Sequence, residues 1–437
     1  MKRYNIVVGG GISGICTALF LADKKKPVIL VERGSSLGGL LNSSFPFKNE
    51  FHFDYGTHFL NKTGNTHLDK LLFDGLDLNQ YKYLKVGSFY KTLFQGNGFV
   101  TDFHLLNKEK YFNQINTHNP KLMEENLNDQ LINKFGEGYT RDLFDPILMK
   151  FFGYKSKDLK RDAHRLFGLS RIISSNKQKV EKLKSSSKVH DEVLAYHSYR
   201  QGTSSLKPIY PKNGGSGSWI NYLVNKLNQK NVIIKVNSSV KNINKSNKNL
   251  HSIKINNNEF LIENLYWTAP SVFLYPFFKL KEKKSIPRLR SYIAHLVIDS
   301  NYLTTLYYYQ CFDPNFKTFR VTLYDNFSSP CHPQLRRLTV EVLLKDNEEI
   351  DSDLNQKLLD ELILMGVVSK KTNLIHQSNL TIPNSFPVLL RNNLKESQSL
   401  EQKLVNEFSN LYFFGKAYSK KWFMNEVIEE IYKHFYD

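Results

Sequence analysis

Cysteine is scarce in this sequence: Cys16, Cys311 and Cys331 are the only three among 437 residues. An odd number at these spacings offers neither a disulfide framework nor a metal-ligand set, so no metal is expected and a reducing compartment is. Long apolar runs are missing too. No stretch approaches the roughly 20 residues that a membrane-spanning helix needs, and an apolar strand opens at Tyr4, which leaves no room for a signal peptide. The expected location is the cytoplasm. Internal repeats are absent, and low-complexity sequence is confined to short Lys-, Asn- and Ser-rich loops. No nucleic-acid-binding module is visible.

Acidic residues are also in deficit, which leaves a net charge of +19. Such a balance favours anionic partners: nucleotide phosphates, an anionic small-molecule substrate, or an acidic membrane surface met peripherally. The clusters 177–188 and 279–290 are interrupted by Ser and Pro and read as solvated loops and faces. Aromatics, by contrast, are plentiful, with 31 Phe and 24 Tyr. They suit either planar binding surfaces or an aromatic-rich core. The length is too great for one simple core and fits two domains.

The most informative stretch is Tyr4 to Gly39. An apolar β-branched run meets Gly9-x-Gly11-x-x-Gly14, and residues 15–24 have helical composition. Gly9 permits the tight turn, Gly11 lets backbone approach a pyrophosphate, and Gly14 lets the helix pack close on the strand. With Ile12 and Ser13 these residues open a helix whose free N–H groups and dipole favour an anion. Residues 27–31 read as a second parallel strand ending in Glu32, where an acid holds ribose hydroxyls. A dinucleotide site follows from strand, glycines, helix, strand and acid in that order.

Glu32-Arg33-Gly34-Ser35-Ser36-Leu37-Gly38-Gly39 continues into a second glycine turn. This pattern resembles the flavoprotein group of amine oxidases, protoporphyrinogen oxidases, phytoene desaturases and UDP-galactopyranose mutases. The resemblance implies FAD, with Arg33, Gly38 and Gly39 along it. It extends over nearly the whole chain. Asp54-Tyr55-Gly56-Thr57-His58 resembles the stretch that passes beside the isoalloxazine ring in that group, which makes His58 an active-site candidate. Residues 143–154 resemble a motif of the helical substrate domain, 210–218 the return to the FAD domain, and Val240 a backbone contact on the adenine side. Arg320, in a strand region similar to that of mutase-related proteins, is a candidate to meet a phosphate or carboxylate, with a cross-strand ion pair as its structural alternative. Gly415, Lys416, Met424 and Asn425 match the closing signature. There, Lys416 stands in place of an arginine and Asn425 in place of an aspartate.

The implied architecture is α/β. A Rossmann-like FAD-binding domain of the glutathione-reductase type, residues 1–70, 205–272 and 405–437, carries an inserted α+β substrate domain, residues 71–204 and 273–404. Four strands are expected at 293–298, 303–310, 318–324 and 337–344, a single strand at 232–243, helices at 351–364 and 394–407, and a mobile Lys/Ser-rich loop at 174–188. The expected function is that of an FAD-dependent oxidoreductase acting on an anionic small molecule, with surface-polysaccharide or nucleotide-sugar metabolism as its setting. A mutase-like isomerase using reduced FAD and a non-catalytic flavin-binding protein are the alternatives. The altered closing residues rank the oxidoreductase first. Oligomeric state is not legible.

Overall fold

The computed structural model describes residues 2–48, 50–95, 100–102, 111, 115, 124–169, 171–195, 207–280, 287–391, 393–415 and 424–437. Its first sheet grows from the apolar strand Arg3–Val8, which pairs in parallel with Val28–Val31 on one side and Asn258–Trp267 on the other. Ile233–Lys235 extends the sheet beyond Val28–Val31, and Leu411–Phe413 pairs with the second half of Asn258–Trp267. All four residues of Val28–Val31 are buried, as are Ile6, Val7 and Val8. Continuous apolar strands of this kind belong to a parallel sheet covered on both faces. One cover is the helix Ile12–Asp23 with Gly215–Gln229 and Met424–Tyr436, which share a core that includes Phe20, Trp219, Leu223 and Ile431. The other is the antiparallel pair Val240–Ser246 and Asn249–Ile255, which extends the same sheet by pairing with the first half of Asn258–Trp267 and, with the end of the helix Asn393–Glu407, packs around Ile253, Leu404 and Phe408.

Because five strands run parallel, their carboxyl ends meet along one edge, where Gly9, Glu32, Val236, Thr268 and Phe414 follow them. Ligands of open α/β sheets bind at this edge.

A second sheet of seven strands has the order Leu374–Pro387, Arg288–Ile298, Arg336–Leu344, Thr318–Leu323, Tyr308–Cys311, Val86–Tyr90 and Thr92–Phe94. Pairing is antiparallel except between Tyr308–Cys311 and Val86–Tyr90. The expected sheet is there, but Val86–Tyr90 joins it from residues 65–200, whose composition reads as mostly helical. The strand expected from Leu303 begins only at Tyr308. Asn326 explains the shorter strand, since its Nδ2 donates to the carbonyls of Thr304 and Leu306 and holds that segment as a loop. The expected strand 232–243 is two strands, broken at Asn237, whose φ is 47°. The expected helices are observed at Leu354–Leu364 and Asn393–Glu407.

The reading of 174–188 as a mobile loop is corrected: Lys177–Ser186 and Lys188–Val193 are helices. Asn176 and Ser187 cap them through side-chain oxygens. Lys184 is buried, with Nζ donating to the Leu194 carbonyl at 2.8 Å and 3.4 Å from Asp191. One lysine that folds inward supplies the anchor that apolar periodicity did not reveal. All three cysteines are free thiols. No helix among the described residues is long and apolar enough to cross a membrane.

The hairpin Ser43–Phe47 and Phe51–Asp54 leads from the first sheet to the second. Its last residue, Asp54, is buried and tied in three directions. Oδ1 accepts from the Ser43 hydroxyl at 2.6 Å and the Ser216 amide at 2.9 Å, and Oδ2 accepts from the Tyr210 hydroxyl at 2.6 Å. The Asp54 amide donates to Tyr324 at 2.9 Å. The residues that follow Asp54 are thereby held at a fixed place beside the second sheet.

Candidate functional site

At the edge where the parallel strands end lies a cavity of about 440 Å³, within the usual size of a cofactor site. Gly9, Gly10, Gly11, Glu32, Arg33 and Val240 line it, together with Ser238, Ser239, Thr268, Phe273 and Phe277. Gly9 has φ of 114°, a value that only glycine adopts readily. A Cβ on Gly14 would lie 1.8 Å from the Gly9 carbonyl oxygen, so this glycine is fixed by helix–strand packing. A Cβ on Gly11 would meet nothing within 4 Å. The three glycines thus divide as their spacing predicts: one for the turn, one for packing, and one facing open space.

Ile12–Asp23 begins at Gly11 without any side-chain cap. Ile12 and Ser13 do not line the cavity themselves; they follow its Gly11 in the first turn, where no side chain caps the helix amides. Glu32 braces the site, Oε2 accepting from the Gly10 amide and Oε1 from the Gly34 amide, each at 2.6 Å. A carboxylate has about four acceptor directions, so lone pairs remain for ribose hydroxyls. The Arg33 guanidinium lies 5.2 Å from the Phe273 ring centroid across the cavity mouth.

The second glycine turn closes on the first. The Gly38 amide donates to the Gly10 carbonyl at 2.8 Å, and the Cβ position of Gly39 lies 3.8 Å from the Gly11 Cα. Gly415, with φ of 108°, abuts Ser13 and Thr268. Met424 and Asn425 are half-buried at the start of the last helix and do not line the cavity. Lys416 lies outside the described residues.

His58 follows the Asp54 anchor. It is half-buried, with Nε2 3.2 Å from the Tyr55 carbonyl oxygen. Burial, then the Arg320 guanidinium, hold its pKa below the usual histidine value. Arg320 forms the cross-strand pair that was its alternative, donating to Glu341 through Nε at 2.6 Å and a terminal nitrogen at 2.7 Å. The structure brings His58, Arg320 and Glu341 together around the Gly56 turn. Glu341 has no role in the sequence reading; its signal is its place opposite Arg320 on a neighbouring strand. Ser238 and Ser239, in a short loop between strands, and Phe273, in the helical turn Ser271–Phe273, were likewise missed, since neither segment carries a motif.

The NAD(P)-binding Rossmann-like domain family matches residues 7–74. No curated protein matches the sequence. Among solved structures, reduced UDP-galactopyranose mutase aligns with a TM-score of 0.75 at 14% identity, over 99% of this chain and 93% of its own. A protein assigned as a protoporphyrinogen oxidase from Exiguobacterium sp. 255-15 aligns with a TM-score of 0.70 at 14% identity, over 100% and 98%. Cyclohexylamine oxidase from Brevibacterium oxydans IH-35A aligns with a TM-score of 0.64 at 12% identity, over 99% and 97%. At these identities the likeness is one of fold. It covers the whole chain, and it is the fold of the group that the residues from Gly9 to Gly39 resemble.

Proposed function

We propose that this chain is an FAD-dependent oxidoreductase that acts on a small molecule, and that the cavity at the strand edge receives the adenosine and pyrophosphate of the cofactor. The observation that carries the reading is the open space over Gly11 beside an uncapped helix, with Gly14 of the same turn tightly packed. The residues present fit the group. Amides of Ile12 and Ser13 suit the pyrophosphate, Glu32 suits ribose hydroxyls, and Val240 with Ser238 and Ser239 lines the adenine side. Gly38 is fixed by packing on Asn42 and Ile220, while Gly39 and Gly415 lie against Gly11 and Ser13, next to the proposed pyrophosphate position.

Bound FAD supplies a hydride acceptor. The chain's own contribution is orientation: the Gly56 turn holds His58, which lies outside the lining of the strand-edge cavity, as the hydrogen-bonding group for substrate in this reading. In a second reading the chain is a mutase-like isomerase that works on a nucleotide sugar with reduced flavin. Its support is the TM-score of 0.75 against reduced UDP-galactopyranose mutase. Residues 416 and 425 depart from the mutase-like pattern and weigh the other way.

The test is the cofactor released from purified protein. FAD in near-stoichiometric amount is expected, with loss of colour in Gly11→Val. A protein that binds NADPH alone, or a Gly11→Val variant with normal flavin content, overturns the reading. Turnover of a nucleotide-sugar panel by oxidised against dithionite-reduced enzyme then separates the two chemistries, since activity only when reduced selects the isomerase. A flavin-loaded protein inactive in both states leaves the binding-protein alternative.

A further inference from the structure

The turn that carries His58 rests on a charged pair. Arg320 and Glu341 have side chains 17% and 4% exposed, and their contact is bidentate. Glu341 Oε1 also accepts from the Thr57 amide at 3.3 Å. Gly56, with φ of 109°, lies directly on the pair: a Cβ there would sit 2.9 Å from Glu341 Oε2 and 3.3 Å from an Arg320 nitrogen. The Thr57 hydroxyl meets that of Thr322. The Gly56–Thr57 peptide is therefore clamped from the side of the second sheet, and the chain just before it is anchored by the Asp54 carboxylate to Ser43, Tyr210 and Ser216.

The same clamp fixes the chemistry of the imidazole. A carbonyl oxygen only accepts, so the ring nitrogen 3.2 Å from the Tyr55 oxygen must carry the proton. In the neutral ring, Nδ1 then holds a bare lone pair. Charged groups that act on His58 are Asp54 from the preceding strand and Arg320 and Glu341 from the second sheet. Tyr308 and Tyr324 bear on Arg320 in turn.

We propose that Glu341 is a positioning residue: it closes Arg320 to anions, anchors the Gly56–Thr57 peptide, and thereby holds His58 with Nε2–H on the Tyr55 carbonyl and Nδ1 as the ring's acceptor. A role for that acceptor toward substrate rests on the oxidoreductase reading; the geometry of the clamp does not. It also replaces the expectation that Arg320 meets a substrate phosphate.

The test is histidine NMR on the full-length protein labelled in its imidazoles, with His58 assigned through His58→Gln. The unsubstituted protein should show the Nε2–H tautomer and a His58 titration that millimolar inorganic phosphate leaves in place. Glu341→Gln removes a charge that favours the imidazolium and uncovers Arg320, so the titration should move to lower pH, by about half a unit or more. Phosphate should then raise it again. Arg320→Gln should move it the opposite way, and the double variant should return close to the starting value. Opposed shifts follow from the two charges alone; the positioning role is read in the tautomer, which Glu341→Ala should scramble and Arg320→Gln, with Glu341 still accepting from the Thr57 amide, should keep. A tautomer unchanged in Glu341→Ala would overturn it. An Nδ1–H tautomer, a phosphate response in the unsubstituted protein, or shifts of the same sign in both single variants would overturn the proposal. The tautomer and phosphate arms on the unsubstituted protein need no variant to fold. Because the titrations do not require flavin, failure of the cofactor reading and failure of this one are told apart.

Discussion

At the scale of single residues, Gly11 and Gly14 stand three positions apart in one motif and carry opposite constraints. Gly14→Ala forces a methyl to 1.8 Å from a backbone oxygen, so a loss of more than about 3 kcal/mol is expected from overpacking against a rigid neighbour. A Cβ at Gly11 meets nothing within 4 Å; the stability of Gly11→Val should stay within about 1 kcal/mol of the parent, while flavin binding is lost. Chemical denaturation of the two variants, with flavin content measured alongside, checks both halves. A Gly14→Ala protein of parental stability would mean that the helix is free to slide. Asp54 poses a different demand. Removing its carboxylate strands the Ser43 and Tyr210 hydroxyls and the Ser216 amide, each at about 1–3 kcal/mol when left buried and unpaired. Asp54→Ala should therefore lower the unfolding midpoint far more than Asp54→Asn, whose amide preserves most of the contacts.

Elements show where the sequence was legible and where it was not. The strand, turn and helix from Arg3 to Asp23 follow from local chemistry alone: β-branched runs, glycines at fixed offsets, and a helix entered without a cap. The same holds for the closing strand and final helix. Legibility fails where an element depends on a distant partner. Val86–Tyr90 forms a local hairpin with Thr92–Phe94 but joins the second sheet through the edge that Tyr308–Cys311 offers, and Lys177–Ser186 is tied down through Lys184 and the Leu194 carbonyl. Half of the candidate site has this character. Glu32 was visible from its distance to the glycines, but its brace between the Gly10 and Gly34 amides was not. Glu32→Gln keeps the shape and loses one acceptor oxygen. One of the two amides should then face an NH2 group, at about 1–3 kcal/mol, and FAD affinity should drop roughly tenfold or more, measured by flavin release on dilution. Unchanged affinity would show that the brace does not shape the turn. Likewise, His58 was found by pattern, whereas its clamp by Glu341 needs the second sheet to be folded.

For the whole molecule, buried histidines set the acid limit. His52, His164 and His295 are nearly fully buried, and desolvation pushes each down to about 3, with Arg337 adding to the effect at His52. Unfolded, each protonates near 6.5. Their stabilising effect is thus complete above about pH 6.5 and is lost as pH falls toward 3, each contributing about 1 kcal/mol per pH unit. Thermal unfolding should show a steep drop in Tm below pH 6, softened in a His295→Gln variant that retains the fold. The charge of +19 makes a second prediction. If it steers an anionic molecule toward the site, kcat/KM should fall with salt, because screening shortens the field to roughly 10 Å at 0.1 M. A flat response with salt-sensitive binding to anionic vesicles would assign the charge to a membrane surface instead. The parallel sheet has a consequence in time as well as in space. Its strands come from residues 3–8, 28–31, 233–235, 258–267 and 411–413, so during synthesis the glycine turn emerges from the ribosome early and waits for nearly the entire chain before its last neighbour, Gly415, arrives. Non-local pairing of this kind is slow and leaves apolar edges uncovered meanwhile. A nascent chain halted before Leu411 should therefore engage chaperones and fail to retain flavin, even though it already contains every residue of the glycine motif.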